Sequence, residues 1–491
     1  MKRNKLLVVL LPTLFFTILG FAVMGYHPGA EDDGVYLTAI KADLHPTLFP
    51  HDSDFFRLQL QATLFDGWMA HFVHITGISV SWAELIWQLI SLFCILWACQ
   101  SIAAQLFPEK RAQWGAVAMV SAMFTLPVAG TALYLVDQHL HPRAVATALV
   151  LISVSRIMAG KRWQALPILI LAIVLHPIMG ALGLSFCLFL TFSMLEPVPM
   201  RLREVGSTLA SVAPLGWIFD PPSPEWRLAL NTRSYYFLSR WAWYEWLGAL
   251  APLFLFWLLW RIATRRGETK LARLSLAIFA YGLFQQIVAI AVLGVPALVR
   301  MTPMQPMRFL HLIYVFLCLI GGGLMGKYLL RTSVWRWAVF LVVANGGMFL
   351  AQRQLFAGTT HLELPSQPSQ NRWLQAFDWI KHNTPEDAYF AIDPNYMAAP
   401  GEDYHSFRAL AERSELSDAI KDTAVVTQVP SLAPIWREQQ IAMSGWAHFQ
   451  FADFERLKAQ FGVNWVVVSY PPPGGLACPW HNGSISVCKI P

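Results

Sequence analysis

Long apolar runs separated by short polar breaks fill the first three-quarters of the chain, and then the pattern shortens. A bilayer core of about 30 Å takes roughly 20 helical residues. Stretches near that length lie at 5–25, 83–106, 113–135, 143–160, 163–176, 178–195, 206–219, 246–262, 272–294, 309–326 and 334–351. Basic residues gather in the breaks, at Lys2/Arg3/Lys5, Lys110/Arg111, Lys161/Arg162, Arg201/Arg203, Arg261 through Lys270, and Lys327/Arg331/Arg336. With about eleven crossings every one of these clusters faces the cytoplasm, as the positive-inside rule requires. A crossing at the apolar segment 60–78 would invert everything downstream, so that segment predicts a helix lying at the outer interface. The uncharged run between Arg162 and Arg201 has two basic ends and predicts a tight hairpin hinged at His176-Pro177.

Beyond residue 352 the chain reads differently. Residues 353–370, with "ELPSQPSQ", form a linker, and 371–491 read as an α/β domain that parity puts outside the cytoplasm. There "NRWLQAFDWIKH" and "FADFERLKAQFG" have helical spacing, the second stopping at Gly462, while "AYFAID", "TAVVTQ" and "NWVVVS" read as short buried strands. The fold class is therefore a polytopic α-helical membrane protein over 1–352, with a long first extracytoplasmic loop at 26–82 and a C-terminal extracytoplasmic α/β domain.

Composition supports the membrane reading. The 491 residues are 56% hydrophobic and 13% charged, against roughly 25% charged in soluble domains. The net charge of +6 sits in the topology clusters, which gives no reason to expect a nucleic-acid partner. "MKRNKLLVVLLPTLFFTILGFAVMG" resembles a signal peptide but has no clean small-x-small cleavage site, and reads as an uncleaved first span. Cys94, Cys99, Cys187 and Cys318 lie in apolar runs as packing residues, whereas Cys478 and Cys488 are candidates for a disulfide in an oxidising compartment.

Candidate chemistry concentrates in the first loop. Glu31, Asp32 and Asp33 precede the helically spaced Tyr36, Leu37 and Ile40, which sets the carboxylates where a helix dipole favours negative charge. Asp52 is a further acid of the same loop. Arg308 opens a span at its outer end, with Gln305 and Pro306 forming a turn that aims it, and a guanidinium offers phosphate a planar fork. Arg143 and Arg300 read as snorkelling residues, His139 and His141 as interfacial ones. The aromatic segment 220–245 reads as an interfacial belt, with holding a lipid chain as its other role. Acids and an outward Arg at one membrane face suit sugar transfer from a polyprenyl-phosphate donor, with a carboxylate as general base and the Arg on the departing phosphate. No Walker-type or dinucleotide loop suggests a soluble nucleotide site.

The layout resembles the GT-C superfamily of integral-membrane glycosyltransferases. "EDDGVYLTAIKADLHPTLFPHDSDFF" is similar to the first-loop pattern of bacterial members, and "QPMR" at 305–308 and "FRALAERSELSDAIKD" at 407–422 to their later segments. The resemblance implies an inverting transferase in a bacterial inner membrane, with a periplasmic C-terminal domain and a glycan, lipid or protein acceptor. Its base would be Asp33 or Asp32, and Asp52 matches the second acidic position. Some members use Mg²⁺ or Mn²⁺, for which Glu31, Asp32 and Asp33 are the oxygen ligands on offer. Two other readings stand beside it: a transporter, whose best feature is the His176-Pro177 hinge, and a non-catalytic scaffold that binds through the C-terminal domain. Trp436, Trp446 and Trp480 suit either core packing or stacking on sugar rings.

Overall fold

The computed structural model describes residues 2–195, 221–399 and 401–491. The expected span 206–219 and the cluster Arg201/Arg203 fall outside the described residues. Among the described residues seven helices are long and apolar enough to cross a membrane: Leu7–Met24, Val80–Leu106, Pro177–Met194, Trp243–Arg265, Thr269–Gly294, Pro306–Leu330 and Val334–Leu355. The chain is a helical membrane protein. Helices Pro142–Met158 and Arg162–Leu175 join the same bundle but are shorter. The two helices of the expected hairpin meet at His176, where Gly180 lets the backbones touch: a Cβ there would lie 2.5 Å from the backbone of Ile173.

One expected span is corrected. Residues 113–135 are not one helix; Lys110–Ala122 covers only 13 residues, about 20 Å at 1.5 Å per residue. Pro127 and Gly130 then break it, and a small antiparallel hairpin pairs Pro127 with Tyr134 and Val128 with Leu133. Gly130 has φ +64° and lies flat against the Trp241 ring, so no side chain fits there. At the far end of the bundle Lys327 reaches Glu109 at 3.8 Å and Glu268 at 3.4 Å, joining three inter-helix turns that carry basic clusters.

The segment 60–78 is helical over Phe65–Thr76, with Phe65, Met69 and Ala70 buried and Ile75 exposed. It packs on the helix Asp33–Leu44 to make a small core of its own with Phe49 and Phe56.

The C-terminal region forms a five-stranded mixed sheet in the order Ser414–Glu415, Tyr389–Ile392, Trp465–Ser469, Ile485–Lys489, Ala477–His481. The first three strands are parallel and the last two antiparallel. Helices Arg372–Asn383 and Phe451–Phe461 match the sequence reading; Asn371 caps the first, and Gly462 ends the second at φ +81°. "TAVVTQ" is corrected: it lies in a helix, Lys421–Gln428. The Asp418 carboxylate accepts the N–H groups of Ile420 (2.6 Å) and Lys421 (2.5 Å), starting the helix. Val425 and Val426 then pack with Phe55, Trp226 and Tyr236, so tertiary burial overrides the β-propensity of the valine pair.

The linker is pinned rather than loose. Tyr26 donates its N–H to the His361 carbonyl and accepts the Glu363 N–H, and the Glu363 carboxylate holds both His27 (2.6 Å) and His405 (3.2 Å). The first loop is stitched to the C-terminal domain by Glu31 N–H to the Tyr404 carbonyl and Ser406 N–H to the Gly29 carbonyl, each 2.9 Å. Gly34 makes this possible, since a Cβ there would stand 2.4 Å from that of Ser406.

Candidate functional site

Of three consecutive acids at the start of the helix Asp33–Leu44, the last turns away from the other two. Asp33 folds back onto its own turn, where Oδ2 accepts the Gly29 N–H at 2.6 Å, and it is 1% exposed. Burial pushes its carboxyl pKa up, against the pull of His139, the Gly29 N–H and Lys41. Asp32 occupies the N-cap position and stays 46% exposed, facing a cavity of about 280 Å³. Glu31, in the left-handed region at φ +54°, turns beside it. Asp33 does not line this cavity, whereas Asp32 does.

Lys421 arrives from the C-terminal domain to meet both exposed acids. Its Nζ lies 2.5 Å from Glu31 Oε2 and 3.3 Å from Asp32 Oδ1. Burial opposes its charge, but the two carboxylates outweigh that and raise its pKa. For Asp32, burial again opposes ionisation, and Lys421 with the surrounding cations holds the carboxyl well below the ordinary range.

Arg308 enters the same cavity from the other side. Gln305, at φ +48°, accepts Arg308 Nε at 2.6 Å through its amide oxygen and donates to the Tyr236 hydroxyl at 2.9 Å. Both ends of the Gln305 amide are thus committed to aiming the guanidinium rather than to a ligand. Among the described residues the Arg308 side chain makes no other hydrogen bond and pairs with no carboxylate. A partly buried guanidinium without a counter-ion at the wall of a cavity is poised for an anion.

Two His-Pro dipeptides supply the imidazoles. Proline holds the preceding residue extended and itself occupies the first helical position. His141 and His176 consequently cap Pro142–Met158 and Pro177–Met194, accepting N–H groups on Nδ1 at 2.9 Å and 3.3 Å. Burial and the Arg143 charge keep His141 neutral, so its proton sits on Nε2, 3.9 Å from Asp32 Oδ2. His139 and His141 are buried, not interfacial, and Arg143 does not snorkel: it is buried in an ion pair with Asp137, 2.5 Å from Nη2 and 3.1 Å from Nε.

The other sequence candidates fall elsewhere. Asp52 accepts from the Tyr389 hydroxyl and from Gln439 Nε2 at 2.8 Å, so it ties the first loop to the sheet and takes no part in the cavity. Glu31, Asp32 and Asp33 do not converge on one point, and among the described residues no three His, Cys, Asp or Glu side chains form a metal-binding group. The carboxylate trio does not fit a Mg²⁺ or Mn²⁺ site. Cys478 and Cys488 are joined at 2.05 Å between adjacent strands. Trp436 packs in the core under Trp226, Trp446 beside Phe454, and Trp480 on Trp379.

Sequence reasoning missed Lys421, His176 as a cavity residue, and the pair Tyr235 and Tyr236. The His-Pro dipeptides were a usable signal for the histidines. Lys421 lies in the segment 407–422 that carries the resemblance, but only the docking of two distant segments brings it to Asp32.

Residues 371–424 match a family model described as a domain of unknown function (DUF6798). The matched segment runs from the first helix of the C-terminal region into the helix that carries Lys421, and describes that segment alone. No curated protein matches the chain.

Proposed function

We propose that the chain is a membrane glycosyltransferase of GT-C type, moving a sugar from a polyprenyl-phosphate donor to an acceptor hydroxyl. The observation that carries this reading is the convergence of Asp32, Arg308 and Lys421, from three distant parts of the sequence, on one cavity at one end of the bundle. In this reading the site faces the periplasm of a bacterial inner membrane, and the turns around Glu109, Glu268 and Lys327 face the cytoplasm.

The lipid phosphate docks against Arg308 and Lys421, with the start of the prenyl chain on Leu175, Ile178 and Met304, which line the same cavity. The acceptor hydroxyl attacks the anomeric carbon, and its proton passes to an Asp32 oxygen. The bond between sugar and phosphate oxygen breaks, its electron pair leaving with the phosphate onto the cations. Paired to Lys421, Asp32 is ionised but a weak base, because a depressed pKa lessens the drive for proton transfer. A phosphate that draws Lys421 towards itself restores that basicity, so donor binding prepares the base.

The test is transfer from a synthetic polyprenyl-phosphate sugar in proteoliposomes. Asp32→Asn should keep donor binding and lose about 10²–10⁴ in rate, and Arg308→Ala should weaken donor binding. Full activity of Asp32→Asn overturns the reading.

A further inference from the structure

A second cavity, of about 590 Å³, adjoins the first, and Asp32 and Tyr235 belong to the walls of both. The two differ in charge. In the first, Arg308 and Lys421 face the single carboxylate of Asp32. In the second, Glu31, Asp32, Asp137 and Glu245 outnumber the one cation, Arg143, which is already spent on Asp137. Tyr134, Tyr244 and Tyr314 add hydroxyls and flat ring faces, and the 127–134 hairpin supplies backbone. The wall also holds unmet hydrogen-bonding capacity: His139 Nε2 and Arg143 Nη1 belong to buried side chains and have no hydrogen-bond partner among the described residues.

Lys421 serves both Glu31 and Asp32, and among the described residues Glu245 pairs with no cation, so carboxylates stay in excess. An anion entering the second cavity meets that excess of negative charge, whereas a hydroxylated ring meets acceptors, phenols and aromatic faces. The volume is in the range of small-molecule sites. We propose that this cavity is the acceptor site, and that it takes a hydroxyl-rich sugar unit carrying no negative charge, either neutral or amine-bearing. The assignment rests on the glycosyl-transfer reading. A hydroxyl presented from this side reaches Asp32 opposite the phosphate side, so the carbon–oxygen bond forms on one face as the sugar–phosphate bond breaks on the other. The proton goes to Asp32, and the lipid leaves as the phosphate monoester.

The experiment is ligand-observed saturation-transfer NMR on the full-length protein in detergent, with methyl glucoside, glucosamine and glucuronate as probes. Methyl glucoside and glucosamine should bind, and glucuronate, the same ring with a carboxylate, should bind at least about tenfold more weakly. Tyr244→Ala, at a side chain 61% exposed and so safe for folding, and Tyr134→Phe should each weaken glucoside binding. Arg308→Ala should leave it unchanged while weakening decaprenyl phosphate. Glucuronate binding as tightly as glucoside overturns the charge assignment. Absence of sugar binding, or its loss in Arg308→Ala alone, overturns the site. If sugars behave as stated but decaprenyl phosphate does not bind, the donor reading fails and the sugar cavity stands.

Discussion

Glu31→Gln should tighten the binding of a lipid phosphate, although residue 31 is on the side of the site that the phosphate does not touch. Lys421 is held 2.5 Å from Glu31 and 3.3 Å from Asp32, while among the described residues the Arg308 side chain pairs with no carboxylate. A phosphate must therefore compete for Lys421. Glu31 is 42% exposed and Lys421 10%, so solvent screening limits their pair to about 0.5–1 kcal/mol. Removing the Glu31 charge returns that amount to the ligand, a gain of about two- to fivefold in Kd. Lys421→Gln removes a charge-assisted hydrogen bond of about 1.5–3 kcal/mol, a loss of roughly 10- to 150-fold. The double variant tells direct exchange from distant electrostatics: with Lys421 gone, Glu31→Gln should bring no further gain. The assay is decaprenyl phosphate binding in nanodiscs, with decaprenol as the uncharged control. A gain that persists in the Lys421→Gln background, or weaker binding in Glu31→Gln alone, would refute the exchange.

Other outcomes follow from the contacts between the first loop and the C-terminal domain. Gly34→Val should cost about 1–3 kcal/mol by driving Ser406 away, and should expose residues 353–370 to limited proteolysis; unchanged cleavage would contradict the close-packing account. Burial opposes the charge on His405, but Glu363 and Glu402 lift its pKa from 6.5 to about 10. Its stabilisation is thus complete below pH 6.5 and is lost as pH rises through about 10. His405→Gln should cost about 3 kcal/mol or more at pH 6, and its melting temperature should converge on that of the native protein towards pH 10; a gap independent of pH would exclude the ion pairs. Breaking Cys478–Cys488, which closes a loop across a sequence separation of 10, should destabilise the C-terminal domain by about 2–3 kcal/mol in chemical denaturation. No change on reduction would place the bond's contribution near zero.

Much of the architecture was legible locally. Apolar run length identifies the long helices, because a bilayer imposes its thickness on any span. Asn371 and Gly462 mark helix ends by chemistry that acts within one turn. The acids before Tyr36 announced a helix start, and Gln305-Pro306 announced the turn that aims Arg308. The misreadings share a cause. "TAVVTQ" and 113–135 were assigned from composition, but Asp418 and the Trp226 core decide the first, and Pro127 with Gly130 the second. The sequence offers Asp33 or Asp32 as base and Asp52 as a second acidic position, since spacing does not reveal which carboxylate finds a buried partner.

The sequence by itself determined the membrane class, the position of an acidic helix start in the first loop, and a basic residue opening a later span. Those features depend on neighbours within a few residues or on the solvent. Only the tertiary structure decided that Asp32 rather than Asp33 faces the cavity, and that Lys421, 389 residues along, is its partner. It also decided that two cavities of opposite charge meet there. Electrostatic roles depend on which groups are brought within a few ångströms and withdrawn from water, and docking sets that distance, not order along the chain.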